Sequence, residues 1–292
     1  MNCDVSCSQQ NQAQVLAGSA PSQKRQWFIE IPQPWPRQVL ASSYLHAQVL
    51  LALQHAVRSK ISVYGFCGEK TRVGAKKIRL IDAWSEGNGE GKHQHYEISA
   101  QESVEWFQSL LHNPEGVASY RKDQVGRDVF ICTHGQRDQC CGVLGEEVYV
   151  KYSHLASNDL RIWKVSHLGG HRFAPTWLEL PEKLWWGRSD FDAVVTRTGQ
   201  PWKSLRGRSM LSPRAQILER MMLEQYGWPW LDVAKNASYQ ESGNDIEVTA
   251  PGLKAYAEIL CLESFQPVSC GQAAKSVKEY EIVECQIGSF EV

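Results

Sequence analysis

DVFICTHGQRDQCCG (residues 128–142) and LRIWKVSHLGGHRFAPTWLELPEKLWWG (residues 160–187) are the stretches on which the reading of this chain turns. Val129-Phe130-Ile131 is a short apolar run that ends at Cys132, and Ile162–Val165 is a second, ending at Ser166-His167-Leu168-Gly169-Gly170-His171. Both read as buried strands by length and composition. Two thiols, Cys132 and Cys141 in C-x8-C spacing, and two imidazoles, His167 and His171 in H-x3-H spacing, therefore follow strand ends. Two thiolates and two imidazoles suffice for a zinc or iron centre. Cys140, directly before Cys141, offers an alternative C-x7-C register.

Working outward, composition narrows the function classes. A formal net charge of −1 gives no electrostatic case for nucleic-acid binding. The 292 residues suggest roughly two domains at ~150 residues each, enough to bury a core without disulfides. Nine cysteines without a basic, apolar leader point to a reducing, cytoplasmic setting, where clustered Cys and His serve metal or redox chemistry. No apolar run is long enough to span a membrane. The eleven tryptophans read mainly as core.

We divide the chain into a flexible tail (1–20), an N-terminal α/β half (21–125), a second α/β half carrying the Cys/His stretches (126–226) and a C-terminal β-rich region (227–292). Cys3 and Cys7 in the tail read as surface thiols. Strands are expected at Gln26–Ile31, Ile61–Cys67, Lys77–Ala83 and, briefly, Tyr96–Ile98, with helices over Leu45–Val57 and Gln101–Leu111 and a surface loop over Ser85–Lys92. The second half repeats strand, helix, strand, strand from Val129 to Leu180, as the first does from Trp27 to Ala83, a faint internal echo. Helices follow over Gly142–Leu155, Phe191–Arg197 and Pro213–Tyr226, and Trp177–Leu180 with Leu184–Trp186 forms a hairpin around Pro181-Glu182-Lys183. Strands are expected at Trp230–Ala234, Asp245–Thr249, Ala255–Leu262 and Tyr280–Cys285. Lys203, Arg206 and Arg208 read as a solvated basic loop, and His93-x-His95 as an ordinary pair with no third ligand nearby. Cys67 reads as a small buried hydrophobe, and Cys261, Cys270 and Cys285 share no ligand spacing.

Three chemistries suit the Cys/His set. A zinc staple fits by donor type, a thiol oxidoreductase would use Cys132 with Cys140 or Cys141, and a 2Fe–2S centre would use two thiolates and two imidazoles. Cys132-x-His134 is not a Rieske box by itself, which leaves His134 beside the centre rather than in it.

CTHGQRDQCCG and SHLGGHRFAPTWLELPEKLWWG closely resemble the sucrase/ferredoxin-like family, whose metal-binding half is a thioredoxin-like ferredoxin of bis-histidinyl type. The resemblance runs from about Gly18, through the GSAP and IPQPWP stretches, to about Asp190. It implies a 2Fe–2S electron carrier held by Cys132, Cys141, His167 and His171 and served by a separate redox partner protein. It also implies a thioredoxin-like α/β fold, with the internal echo as a pseudo-duplicated pair and a small C-terminal β-rich extension. Gly169 and Gly170 would let backbone N–H groups approach the sulfides. Arg137 and Arg172 would offset the centre's charge or receive an acidic partner, with exposed loop cations as the equal alternative. Sucrase activity has no support, since no paired carboxylates for glycoside hydrolysis stand out.

Overall fold

Asp128 to Val165 supplies the middle of a large mixed sheet, and the fold is best followed from there. The computed structural model describes residues 8, 14–86, 90–99, 103–188, 191–266, 268 and 273–289. In chain order the strands and helices are β1 (Arg25–Glu30), α1 (Ala47–Arg58), β2 (Ser62–Cys67), β3 (Lys77–Glu86), β4 (Glu90–Ser99), α2 (Ser103–His112), β5 (Arg121–Lys122) and β6 (Arg127–Cys132). Next come α3 (Gln139–Tyr152), β7 (Leu160–Val165), β8 (Thr176–Leu180), β9 (Leu184–Gly187), α4 (Phe191–Thr196) and β10 (Leu205–Arg208). The chain ends with α5 (Pro213–Tyr226), α6 (Trp230–Val233), β11 (Ser238–Ser242), β12 (Asp245–Ala250), β13 (Leu253–Gln266) and β14 (Lys275–Ser289).

Among the described residues, one ten-stranded sheet runs β10-β9-β8-β6-β7-β2-β1-β3-β4-β5, and β11 to β14 form a four-stranded antiparallel sheet in sequence order. The protein is thus a mixed α/β fold with a large sheet and a smaller one. In the first half β1 pairs parallel with β2 and antiparallel with β3, which pairs antiparallel with β4. In the second, β6 pairs parallel with β7 and antiparallel with β8, which pairs antiparallel with β9. The halves meet where β2 and β7 run antiparallel, through Phe66 with Val165 and Cys67 with Lys164.

Central strands are covered on both faces and so read as unbroken apolar runs. Trp27, Phe28 and Ile29 of β1, and Val129, Phe130 and Ile131 of β6, are all fully buried. Helix α1 turns Val49, Ala52, Leu53 and Ala56 inward, the 3- and 4-residue spacing of one helical face. Helix α5 starts where Ser212 accepts a hydrogen bond from the Ala215 N–H, with Pro213 in its first turn, and stops at Gly227.

Four expectations change. Residues 14–20 are packed rather than tail-like: Leu16 is buried, the Ser19 N–H donates to the Arg206 carbonyl, and Gln216 of α5 bonds both the N–H and the carbonyl of Ala20. Cys3 and Cys7 lie outside the described residues. The loop expected over Ser85–Lys92 is much shorter, because β3 and β4 pair from Lys77 with Ser99 out to Glu86 with Glu90. Trp230–Ala234 is helical, not extended. Pro229 holds helical angles before it, and the Trp230 and Leu231 N–H groups close tight turns onto Gly227 and Trp228. The basic loop is not solvated as a whole. Lys203 is exposed, but Arg206 and Arg208 sit on the short strand β10, both buried, and Arg208 pairs with Glu219 at 2.6 Å.

Candidate metal centre

Parallel neighbours β6 and β7 end together, Cys132 opposite Val165. The ends of parallel strands are where open α/β sheets build sites, since the connections there diverge and leave a crevice. Here the crevice is closed by hydrogen bonds: Thr133 N–H donates to the Val165 carbonyl at 3.1 Å and Ser166 N–H to the Gly65 carbonyl at 2.7 Å. Helix α3 then packs its first turns directly over the end of β6. A Cβ on Gly145 would lie 1.9 Å from the Cys132 carbonyl oxygen, so only glycine permits that approach.

Cys132 and Cys141 therefore face one another, Cys132 from the strand end and Cys141 from the first turn of α3, both completely buried. Their sulfurs and a ring nitrogen of His167 all lie within 4.8 Å of one another, and Cys141 Sγ is 4.0 Å from His167 Nδ1. The His171 ring stands 5.1 Å from that of His167, centre to centre. Its Nε2 meets the Val268 carbonyl, and its Nδ1 lies 3.2 Å from Asp138 Oδ2 without forming a hydrogen bond. Three of the four expected donors thus converge, with His171 alongside and held by other partners. Cys140 points away, as the ~100° between successive helical residues requires. It is buried against Ala174 and Leu144.

The electrostatics favour one thiolate. Burial alone would raise the Cys132 pKa, but hydrogen bonds from the Cys141 thiol and His167, the His167 charge and the Leu168 N–H hold it well below the usual thiol value. Cys141 moves the opposite way, raised by its hydrogen bond to Cys132 and by burial. Burial also brings His171 down to about 4, which keeps it neutral and able to bind metal at neutral pH.

Two supporting residues carry more than their sequence signal suggested. His134 is buried, its Nε2 bonds the Pro36 carbonyl at 2.9 Å, and its Nδ1 accepts from the His167 N–H at 3.1 Å. Because the Pro36 oxygen can only accept, Nε2 carries the proton, and His134 fixes the main chain of a neighbouring ligand candidate. Asp138, which sequence reading passed over, caps α3 by accepting from the Cys140 N–H at 3.0 Å while its other oxygen faces His171. Its signal was available: an aspartate one residue before a helical run is a standard cap.

The remaining candidates separate. Gly169 and Gly170 both adopt left-handed backbone, at φ 83° and 71°, which favours glycine. The guanidinium of Arg206 occupies the space a Gly170 side chain would need and donates to the Gly169 carbonyl at 3.0 Å. Arg137 is exposed, whereas Arg172 is half-buried, donates to Gln14 and lies 4.3 Å over Phe173. Trp185 shares its core cluster with Cys132 and Cys141; Trp186 belongs to the cluster on the other face. Cys67 is buried, its thiol pushed up to about 12 by burial. Cys261 is exposed, Cys285 is half-buried and Cys270 lies outside the described residues.

The His93/His95 pair does have a third partner, from a distant strand. Asp128 Oδ2 lies 2.9 Å from His93 Nε2 and 2.8 Å from His95 Nε2. Asp128 is also held at both oxygens by Arg161 and at Oδ1 by the Trp163 indole N–H, at 2.7 Å. Burial would raise its pKa, but the bonds to the two histidines and Arg161 hold it well below the usual carboxylate value. One carboxylate facing one guanidinium is already neutral, so this cluster closes without a cation.

Two buried thiols and an imidazole at the ends of parallel strands define a candidate metal centre on a mixed α/β scaffold. The chain belongs to the sucrase/ferredoxin-like family, whose family model matches residues 16–208. It is also 31% identical over 81 residues to "Altered inheritance of mitochondria protein 32" of Meyerozyma guilliermondii, an alignment covering 24% of this chain and 29% of that protein. The chain thus spans less than a third of that relative's length. No solved structure matches. Among the described residues, no helix is long and apolar enough to cross a membrane.

Proposed function

We propose that the protein is an electron carrier holding a 2Fe–2S cluster through Cys132, Cys141, His167 and His171. The observation that carries this reading is the convergence of two buried thiols and His167 within 4.8 Å. The donor set fits: thiolates and imidazoles are the iron ligands of mixed Cys/His clusters, and such a cluster takes up and returns one electron. His171 is neutral and adjacent, and serves as fourth ligand by giving up Asp138 or Val268. The matching strand orders of the two halves support a pseudo-duplicated thioredoxin-like fold in which only the second half keeps the metal donors. The described cysteines are all unbridged, which suits a reducing, cytoplasmic compartment and a separate protein as redox partner.

A zinc-stapled module would use the same donors. A thiol oxidoreductase is disfavoured because Cys132 is wholly buried, and a nucleophilic thiolate needs access. Anaerobic purification of the full chain separates the readings. Iron and acid-labile sulfide in equal amounts, with a red-brown colour that bleaches on reduction, is the expected result. A colourless protein containing zinc would overturn it.

A further inference from the structure

Several buried or half-buried arginines of the described residues are matched by carboxylates. Arg161 faces Asp128, Arg208 faces Glu219, and Glu179 is shared by Arg127 and Arg197. Lys183, whose Nζ donates to the Gln23 and Lys24 carbonyls and the Ser85 hydroxyl, has no such partner among the described residues, but burial lowers it to about 7 and an amine can shed its charge. Arg206 has none either. It is only 2% exposed, and among the described residues no carboxylate bonds to it. Its partners are neutral oxygens: the Gly169 carbonyl at 3.0 Å, the Ser19 carbonyl at 2.8 Å and the Ser19 hydroxyl at 3.2 Å. Two aromatic faces complete its surroundings, Trp185 at 5.5 Å and Phe173 at 5.6 Å. A guanidinium keeps its charge even when buried, and a buried charge without a counter-charge is costly.

Among the described residues, the thiols of the candidate centre, Cys132 and Cys141, are sources of negative charge that act on it, together with the Tyr64 hydroxyl. Arg206 grips the carbonyl of Gly169, inside the loop between His167 and His171, and lies over Trp185, which packs in one cluster with Cys132 and Cys141. From the uncompensated burial of Arg206 behind the His167–His171 loop, we propose that it is the internal counter-charge of the metal centre, positioned to favour a state with net negative charge. This rests on the cluster reading above. With two thiolates and two neutral imidazoles, the ligand charges cancel the double positive charge of an oxidised 2Fe–2S core. A single electron from a one-electron donor protein then leaves one net negative charge. A zinc ion in the same four ligands stays neutral and never acquires that charge. Arg206 is thus a positioning residue that stabilises the reduced state and raises the reduction potential, while its hydrogen bond to Gly169 shapes the loop.

Protein-film voltammetry on the loaded full chain tests this with Arg206→Lys and Arg206→Gln, alongside iron content and thermal melting of each variant. Both substitutions weaken the fork of hydrogen bonds, but only Gln removes the charge. The expected result is a lower reduction potential in Arg206→Gln, with Arg206→Lys close to the parent. Equal potentials in Gln and parent, or equal drops in Gln and Lys, would overturn the proposal. Should Arg206→Gln not fold, Ser19→Asp sets a carboxylate against the intact guanidinium, with Ser19→Asn as its neutral control. A lowered potential in Asp alone supports the counter-charge, and an unchanged one overturns it. If the parent chain carries zinc and no iron, the cluster reading itself has failed, an outcome separate from any of these.

Discussion

Cys140 and Cys141 are chemically identical neighbours, and the helix alone distinguishes them. Cys141 faces Cys132 and His167, whereas Cys140 packs on Ala174 and Leu144. Cys141→Ser should therefore abolish metal binding while Cys140→Ser retains it, read by iron content and the visible spectrum. An intact spectrum in Cys141→Ser would move the ligand to Cys140. Asp138 does two things at once, capping α3 and facing His171. Asp138→Ala should cost about 1 kcal/mol through the lost cap. It should also weaken metal retention by up to about 10–100-fold, the range seen when a residue supporting a ligand is lost, here through the carboxylate charge beside His171. Chelator competition alongside a urea melt measures both, and unchanged retention would mean that Asp138 only caps the helix.

At the scale of elements, the contact between α3 and β6 sets the spacing of the two thiols. Gly145→Ala forces a methyl group onto the Cys132 carbonyl. The expected cost is about 1–3 kcal/mol, typical of an overfilled contact, together with lower metal occupancy because Cys141 moves with the helix. A denaturation midpoint equal to the parent's would show that α3 can shift freely. Elements with regular patterns were legible from the amino-acid order alone. The run Ile162–Val165 lies within the observed strand Leu160–Val165, and the expected helix Pro213–Tyr226, with its Ser-Pro start and Gly stop, matches the observed bounds. The strand expected at Trp230–Ala234 failed because five residues carry too little periodicity to separate a strand from one helical turn, and Pro229 decided the matter. Arg206 and Arg208 looked solvated because charge is a poor guide to burial where Glu219 and two backbone carbonyls wait as partners from distant segments.

For the molecule as a whole, the same limit applies to charge networks. His93-x-His95 is visible in the sequence, but Asp128 and Arg161 join it only through the way the two halves pack. The network makes acid stability predictable. His95, His134 and His171 have folded pKa values lowered chiefly by burial, so the unfolded chain binds more protons below its histidine value of about 6.5. Stability should decline as pH falls through that range. Asp128 acts lower: its folded pKa is depressed, so its contribution is complete above about 3.9 and is lost as pH falls further. Thermal melts of the metal-free chain from pH 8 to 3 should show both stages, and a flat profile between pH 7 and 5 would mean that these histidines are not buried neutral. Asp128→Asn leaves Arg161 unmatched and should cost about 3–5 kcal/mol. A loss below 1 kcal/mol, measured by urea unfolding at pH 7, would show the network to be dispensable.

The Val268 carbonyl that meets His171 arrives from the connection between β13 and β14, beyond the stretch shared with the family. Anyone trimming the chain to its family boundary would cut away this oxygen. The same cut would remove α5, which supplies Glu219 to Arg208 and Gln216 to the backbone of Ala20. Such a fragment would release the inner edge of one imidazole and strip the roof from β10, the strand that carries Arg206. The region beyond the shared segment thus forms part of the wall of the candidate centre.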